Sequence, residues 1–482
     1  MEVRTRIAPS PTGFPHLGTI YQAMFDYVFA KKNDGKFIVR IEDTDRARFV
    51  EGAEKVVFDS LNWFGLTPDE DPNKGGPYAP YRSSERLDIY REHADKLVKS
   101  GNAYYCFCTK ERLEQMRKDQ EAKHLPPMYD KLCRSLSAPE VEEKLKSNTP
   151  HVIRLKVPED RKIKFHDSIV GDVEFDSNQV DDQVLLKSDG FPTYHLAVVV
   201  DDYLMKITHV FRGTEWLPSV PKHLLIYEFL GWENMKPVFA HLPLLLNPEG
   251  GGKLSKRLGH ASVDFYKKEG FLPEAILNYM ANVVWNHPEG QEIFELKEFE
   301  KAFHENPFKV DVKPQGARFD LKKLEWVNGE YIRKMSDEEL VKRLEEFLVD
   351  HPAKEKLAQI VPLVKERIKK LSDFIPLTDF LFEKPEYDKE VFDKLKIKDI
   401  TTALKKVLEK MEGLSKPWKK EEFEKSFQDL AKELNLNNTQ MFQLLRAAVS
   451  GQSVTPPLFE SIQILGEEEA LERLQSALKF LT

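Results

Sequence analysis

The stretch Arg6-Ile-Ala-Pro-Ser-Pro-Thr-Gly-Phe-Pro-His-Leu-Gly-Thr19 constrains this chain more than any other. Val3 to Ala8 is an apolar-alternating run that reads as a first strand. Pro9, Pro11, Gly13 and Pro15 then exclude any regular element, so a sharp loop follows. Beyond His16 and Gly18, Ile20, Met24, Tyr27 and Val28 recur at helical spacing as far as Lys31. A strand, a proline–glycine turn and a helix N-terminus bring backbone N–H groups and a helix dipole to a place where an anion can sit. Gly18 would let a planar group or a phosphate approach the backbone, and His16 would donate to that phosphate. A lone His-x-Gly is common by chance, and its plain reading is a βα turn with a capping histidine.

A second motif, Gly250-Gly-Gly-Lys253-Leu254-Ser255-Lys256-Arg257, decides between the two readings. The glycines make a mobile loop, and the cations behind them can stabilise the charge that develops as pyrophosphate leaves. Paired with His16-Leu-Gly18-Thr19, it resembles the two ATP-binding signatures of class I aminoacyl-tRNA synthetases, usually His-Ile-Gly-His and Lys-Met-Ser-Lys-Ser. Thr19 in place of the second histidine narrows the resemblance to glutamyl-tRNA synthetases of bacterial type, and the likeness runs over nearly the whole chain.

At 482 residues the chain is long enough for two or more domains, each with its own core. No apolar run approaches the ~20 residues needed to cross a bilayer, so no membrane partner is expected. The N-terminus lacks the basic-then-apolar layout of a signal peptide. Three cysteines argue against a disulfide scaffold and for the cytoplasm. The net charge of −8 is not that of a general nucleic-acid binder, so an RNA partner would have to be met by local basic stripes.

Along the chain, Phe37 to Ile41 reads as a second buried strand of a parallel sheet, followed at once by Glu42. Ligands of open α/β sheets bind beyond the carboxyl ends of strands, which makes Glu42 a candidate for a substrate ammonium, while Asp43, Asp45 and Arg48 would organise the loop. Helices are expected from Glu51 to Phe64 and from Arg82 to Ser100, then β texture from Val152 to Gly190. Tyr194 and His195 follow and would face the crevice. Arg212 ends another apolar run, again at a strand's carboxyl edge, and a fixed guanidinium pairs bidentately with a carboxylate. After Arg257 the texture turns helical, a further helix series starts at Phe319 with no convincing strand after it, and Trp326, Val327 and Tyr331 have core spacing. Basic helix faces recur in the last third, including one through Lys365, Arg367, Lys369 and Lys370, for which a solvated face is the default reading.

The resemblance implies a doubly wound parallel, Rossmann-type α/β catalytic core with an inserted α/β acceptor-binding domain and an all-helical C-terminal anticodon-binding half. Its parts would be residues 1–102 (first catalytic half), 103–190 (insert), 191–236 (second catalytic half), 237–325 (stem contact with the lysine loop) and 326–482 (anticodon binding). It implies a glutamate site of Arg6, Ala8, Ser10, Glu42, Tyr194 and Arg212. Two arginines and one carboxylate suit a zwitterion with an extra negative side chain. It implies an ATP site of Pro9, Thr12, Gly13, His16, Gly18, Thr19, Lys253, Leu254, Ser255, Lys256 and Arg257, with His16, Lys253 and Lys256 catalytic. Arg367 would inspect the anticodon. The substrates would be glutamate, ATP with Mg²⁺ and tRNA(Glu), and the enzyme a monomer. Some members of the family bind zinc through cysteines placed like Cys106, Cys108 and Cys133, with a histidine where this chain has Ser135. Three thiolates leave the tetrahedron open unless Tyr129, His124 or a carboxylate closes it, so zinc is not expected and no metal ligand is assigned.

Two rivals are excluded by the chain's length and its helical tail. A glutaminyl-tRNA synthetase resembles β-barrels in its anticodon region, and a glutamyl-queuosine tRNA synthetase resembles the catalytic half alone. A small adenylyl-type nucleotidyltransferase has no use for a long helical tail. A non-catalytic tRNA-binding paralogue has no need of the lysine loop.

Overall fold

The computed structural model describes residues 2–13, 15–247, 252, 262–303 and 317–482. The loop residues Lys253, Leu254, Ser255, Lys256 and Arg257 lie outside the described residues. The chain forms two compact units, Met1–Phe265 with Ile276–Leu321, and Tyr266–Ala275 with Lys322–Thr482.

In the first unit, strand β1 (Arg4–Ile7) leads through the proline loop into helix α1 (Leu17–Lys32), which returns to strand β2 (Lys36–Val39). The two strands are parallel, with Arg4 opposite Lys36 and Ile7 opposite Val39. Helix α1 buries ten of its sixteen residues, Leu17, Ile20, Tyr21, Ala23 to Asp26 and Val28 to Ala30, as suits a crossover packed on a sheet. Helices α2 (Ala53–Trp63) and α3 (Leu87–Lys99) follow, with the first turn before α3, Ser83–Arg86, wound as a 3₁₀ helix. Strand β3 (Ala103–Cys106), helices α4 (Lys110–Ala122) and α5 (Ala138–Lys146) and strands β4 (Val152–Leu155), β5 (Lys162–Asp167), β6 (Gly171–Asp176) and β7 (Val184–Leu186) come next. β3, β4 and β7 make an antiparallel sheet, and β5 and β6 a hairpin.

The run after Gly190 becomes helix α6 (Tyr194–Leu204), which leads to strand β8 (His209–Gly213), helix α7 (Val220–Phe229) and strand β9 (Val238–Leu242). β8 and β9 are parallel, and β5 joins the far side of β9 in parallel at Asp167 and Phe239. Just before β8, the backbone N–H of Thr208 donates to the Arg4 carbonyl (2.9 Å), which ties β1 to β8. Two parallel βαβ crossovers, β1–α1–β2 and β8–α7–β9, therefore lie side by side, β1–β2 as one ladder and β6–β5–β9–β8 as another, in keeping with the doubly wound plan expected. From Leu321 onward the described elements are all helices, as expected after Phe319, and strands β10 (Leu245–Leu246) and β11 (Ala317–Arg318) form a parallel pair only two residues long. A run that short leaves no periodic pattern to read.

Helix α8 (Val263–Lys268) and helix α9 (Pro273–Val284) each contribute residues to both units, and α10 (Leu296–Ala302) belongs to the first. Trp285 stacks near Phe299 (4.7 Å between ring centroids), and Phe299 meets Phe25 of α1 edge-on at 5.8 Å.

The second unit is helical. One core of it joins Leu404, Val407 and Met411 with Phe423, Phe427, Leu444, Leu445, Phe459 and Leu474, drawn from five successive helices between Ile400 and Leu481. The helix Asn438–Ser450 starts with a capping box: the Asn437 side chain accepts from the Gln440 N–H (2.8 Å), and Gln440 accepts from the Asn437 N–H (3.2 Å). It stops at Gly451, whose φ of 71° suits glycine and whose missing Cβ would lie 2.9 Å from the Glu386 carbonyl. Trp326, expected in the core, is 36% exposed and carries the Lys323 ammonium 3.8 Å over its ring; Val327 and Tyr331 are buried. Helical spacing alone does not tell the rim of an apolar stripe from its centre.

Candidate active site

A cleft of about 900 Å³ opens beyond the carboxyl ends of β1, β2, β8 and β9. The proline loop forms one wall, held by the chain after β2: Glu42 N–H donates to the Pro9 carbonyl (3.0 Å) and Val50 N–H to the Pro11 carbonyl (2.8 Å). The N-terminus of α1 forms another, with Thr19 N–H bonded back to the His16 carbonyl at 2.8 Å. Gly18 leaves room for the His16 imidazole where it stands, because a Cβ there would lie 2.7 Å from the ring and force it to turn away. Leu242 to Leu245 give an apolar side.

The charges at the floor form one network. Arg6 donates through Nε and Nη2 to both oxygens of Asp202 (3.1 and 3.0 Å), and its Nη1 has no partner among the described residues. Arg40, wholly buried, joins Asp202 (2.9 Å) to Glu42 (3.1 Å). Burial pushes the Asp202 carboxyl up, but Arg6 and Arg40 outweigh it and hold Asp202 below its ordinary value. For Glu42 burial wins over Arg40 and Arg6, and its pKa is raised, so a cationic ligand group would be welcome beside it.

Arg212 is bonded differently. Its Nε donates to His241 Nε2 (3.0 Å) and its Nη1 to the Tyr194 hydroxyl (2.9 Å). Its Nη2 is buried with no partner among the described residues, an orphan donor that a ligand carboxylate would satisfy. The Tyr194 ring packs against Trp216 at 4.6 Å. His195, expected to face the crevice, does not line it. Its ring turns to His223 (3.1 Å between Nδ1 and Nε2), and burial, with help from Lys222 and Arg212, pushes its pKa down to about 3.

Away from the cleft, Cys106, Cys108 and Cys133 bring their sulfurs within 4.8 Å of one another. The Tyr129 hydroxyl lies 3.4 Å from the Cys106 sulfur and 3.3 Å from that of Cys108. The sequence expectation against zinc rested on an open fourth corner at Ser135; Tyr129, four residues before Cys133, stands at that corner instead. Three thiols so placed supply three of the four donors of a tetrahedral Zn²⁺ site, and the Tyr129 hydroxyl is the oxygen within reach of the fourth corner.

In the second unit the basic segment from Lys365 to Lys370 is not the helix expected. The helix Leu357–Val364 ends before it, and the Asp373 carboxylate accepts from the N–H groups of Lys369 (2.9 Å) and Lys370 (3.0 Å), which a continuing helix would have used internally. Nor is its basic face simply solvated. Lys365 pairs with Asp337 (3.0 Å) and Lys370 with Glu269 (2.7 Å). Arg367 donates to the Thr455 carbonyl (3.0 Å), and Arg446 donates to the hydroxyl of the same threonine (2.9 Å).

Comparison with known proteins decides the family. Residues 2–326 match the profile described as tRNA synthetases class I (E and Q), catalytic domain, and residues 339–478 the one described as anticodon binding domain. The chain is 45% identical to a glutamate–tRNA ligase of Dehalococcoides mccartyi, over 100% of this chain and 99% of that protein. The chain belongs to the glutamate–tRNA ligase family. It is also 43% identical to the Pseudomonas putida ligase, covering 99% and 96% of the two chains. The crystal structure of an Elizabethkingia meningosepticum glutamate tRNA ligase in complex with its amino acid superposes with a TM-score of 0.88, at 38% identity and full coverage of both chains.

Every described residue that the resemblance implied for glutamate or ATP, from Arg6 to Thr19 and including Glu42, Tyr194 and Arg212, lines this one cleft. Sequence reasoning missed Asp202, Arg40, His241 and Asp167, which hold the arginines in place. The signal was present as charge set in apolar runs: Asp201-Asp202 after Val198-Val-Val200, and His241 inside Val238 to Leu242. No described helix is long and apolar enough to cross a membrane.

Proposed function

We propose that this chain is an ATP-dependent glutamate–tRNA ligase and that the cleft is where glutamyl-adenylate is made. The observation that carries the reading is the orphan Nη2 of buried Arg212, in a cleft that also presents the buried carboxylate of Glu42. Arg212 receives the substrate's side-chain carboxylate, Glu42 attracts its ammonium, and Arg6, Ala8, Ser10 and Tyr194 shape the space between. Glutamine would set an amide N–H₂ against the donors of Arg212, which penalises it. ATP, entering as its Mg²⁺ complex, lies along Pro9, Thr12, Gly13, Gly18 and Thr19 at the α1 N-terminus, whose dipole favours phosphate.

The substrate α-carboxylate oxygen attacks the α-phosphorus, and the bond to the β-phosphate oxygen breaks, giving glutamyl-adenylate and pyrophosphate. The terminal ribose hydroxyl of tRNA(Glu) then attacks the adenylate carbonyl, and AMP leaves. No side chain serves as nucleophile; positioning and charge stabilisation carry the rate. His16, Lys253 and Lys256 stabilise the phosphates, with Leu254, Ser255 and Arg257 completing their loop. Residues 103–190 would grip the acceptor end and 326–482 the anticodon, with Arg367 at a base. The three free thiols suit the reducing cytoplasm, and the working form would be one chain. Cys106, Cys108, Cys133 and Tyr129 would hold a structural zinc that ties β3 to the segment before Ala138. Elemental analysis of protein purified without chelator is expected to find about one zinc per chain.

The test is glutamate-dependent ATP–pyrophosphate exchange, run with and without tRNA. Lys256→Ala should lower exchange by at least ~100-fold in a folded protein, the scale of losing one preorganised donor. Near-normal exchange in that variant would sink the assignment. Arg367→Gln separates a base reader, which would shift the charging ratio between glutamate and glutamine tRNAs, from a phosphate contact, which would weaken both alike.

A further inference from the structure

Two buried residues behind Arg212 belong to neither the glutamate nor the ATP site, yet they set where its guanidinium points. Asp167 ends β5, and both it and His241 of β9 are wholly shielded from solvent. One oxygen of Asp167 accepts three backbone N–H groups, from Ile169 (3.0 Å), Val170 (2.9 Å) and His241 (3.2 Å). The other oxygen is left for His241 Nδ1, at 2.6 Å. An ionised carboxylate can only accept, so the proton of a neutral His241 must sit on Nδ1. That leaves a lone pair on Nε2, which is what the Arg212 Nε–H meets at 3.0 Å.

We propose that Asp167 and His241 are positioning residues of the glutamate site: Asp167 fixes the His241 tautomer, and His241 holds Arg212 with its unpartnered Nη2 turned to the substrate carboxylate. The inference rests on the reading of Arg212 given above. The chemistry of the link matters as much as its geometry. Arg6 is held directly by the Asp202 carboxylate, which satisfies two of its three nitrogens and much of its charge. Arg212 is held by a neutral ring, which orients the guanidinium and leaves its charge for the ligand. Of the two arginines, Arg212 is therefore the one equipped to select a second carboxylate.

Asp167→Asn tests this. The asparagine oxygen can keep the three backbone N–H groups, while its amide N–H₂ faces Nδ1. His241 must then carry its proton on Nε2, against the Arg212 Nε–H, and two donors oppose each other. The glutamate KM in the exchange assay should rise roughly tenfold to a hundredfold, with the ATP KM within about twofold, as expected for losing the geometry of one charge-assisted contact. Long-range ¹H–¹⁵N spectra of histidine-labelled protein should show the His241 tautomer inverted. His241→Gln, whose amide oxygen can accept from Arg212, should stay within about fivefold of wild type, and His241→Leu should behave like Asp167→Asn.

Arg212→Ala run alongside separates the two readings. If it leaves the glutamate KM unchanged, the assignment of the pocket fails. If it raises that KM but Asp167→Asn and His241→Leu do not, or if they raise the ATP KM equally, the positioning role is overturned and the pocket stands. Should Asp167→Asn fail to fold, the split between His241→Gln and His241→Leu decides alone, and equal KM values in those two overturn the proposal.

Discussion

The two units treat buried charge in opposite ways. In the first, Arg4, Arg6, Arg40, Glu42, Glu70, Arg86, Asp201, Asp202 and Arg212 all lie in the interior, linked into pairs and chains. Among the described residues of the second, the buried charged side chain is Arg473, which donates to the carbonyls of Val449 (3.1 Å) and Glu383 (3.1 Å) and to Glu469 (2.7 Å). The rest of that interior is aliphatic and aromatic. Removing charge from water costs several kcal/mol per ion before pairing returns any of it, so a buried ionic network is a poor way to gain stability. Arg6, Glu42 and Arg212 line the cleft, where the proposed ligand demands charge. The helical unit, with no such demand on its interior, is packed for stability and keeps its charges at the surface.

The largest effect expected is from Asp202→Ala, which leaves Arg6 and Arg40 buried with one counter-charge fewer and should cost about 3–5 kcal/mol. Hydrogen exchange resolved by peptide should show the loss in the first unit alone. Equal loss of protection around Leu404 would mean the two interiors are not separable. Leu404→Ala reverses the experiment: a fully buried leucine in the helical core should cost about 2–5 kcal/mol there, with glutamate-dependent exchange of pyrophosphate retained.

Acid gives a third comparison. Burial lowers the pKa of His195 to about 3 and of His209 to about 4, and it lowers those of His223 and His241 too, although Asp167 opposes the last shift. The neutral ring is thus kept in the fold, while an unfolded histidine protonates near about 6.5. Below that pH the unfolded chain binds more protons, so stability falls as pH falls. At pH 6 each of these histidines should cost the first unit up to about 1 kcal/mol relative to pH 7.5. All four lie in that unit, so unfolding followed by peptide should show its protection falling first; a parallel fall in both units would contradict the contrast drawn here. The smallest effect is expected at the surface of the helical unit. Arg343→Ala breaks its 2.9 Å pair with Glu274, both partners about a third exposed or less, and should change stability by less than about 1 kcal/mol.

Much of this was legible in the chain before any coordinates. The strand, loop and helix around Pro9 to Thr19 follow from proline geometry and helical spacing within a few residues, and the motif residues of the cleft could be named because they sit in contiguous runs. Other features were settled only by folding. The counter-charge of Arg6 is 196 residues away at Asp202, and that of Arg4 is 66 away at Glu70. Asp167 is 74 residues from His241, and Arg212 is 29 from it. No local pattern couples such positions, because each residue alone reads as a surface ion-pair partner or a core histidine. Tyr129 as a fourth group beside three thiols, and the exposure of Trp326, likewise depend on which faces meet. Periodicity and turn chemistry act over a few residues and so determined the elements and the motif loops. Which buried donors found acceptors, and which one was left waiting for a ligand, only the tertiary structure decided, because in a low-dielectric interior that choice depends on the few ångströms between groups far apart in sequence.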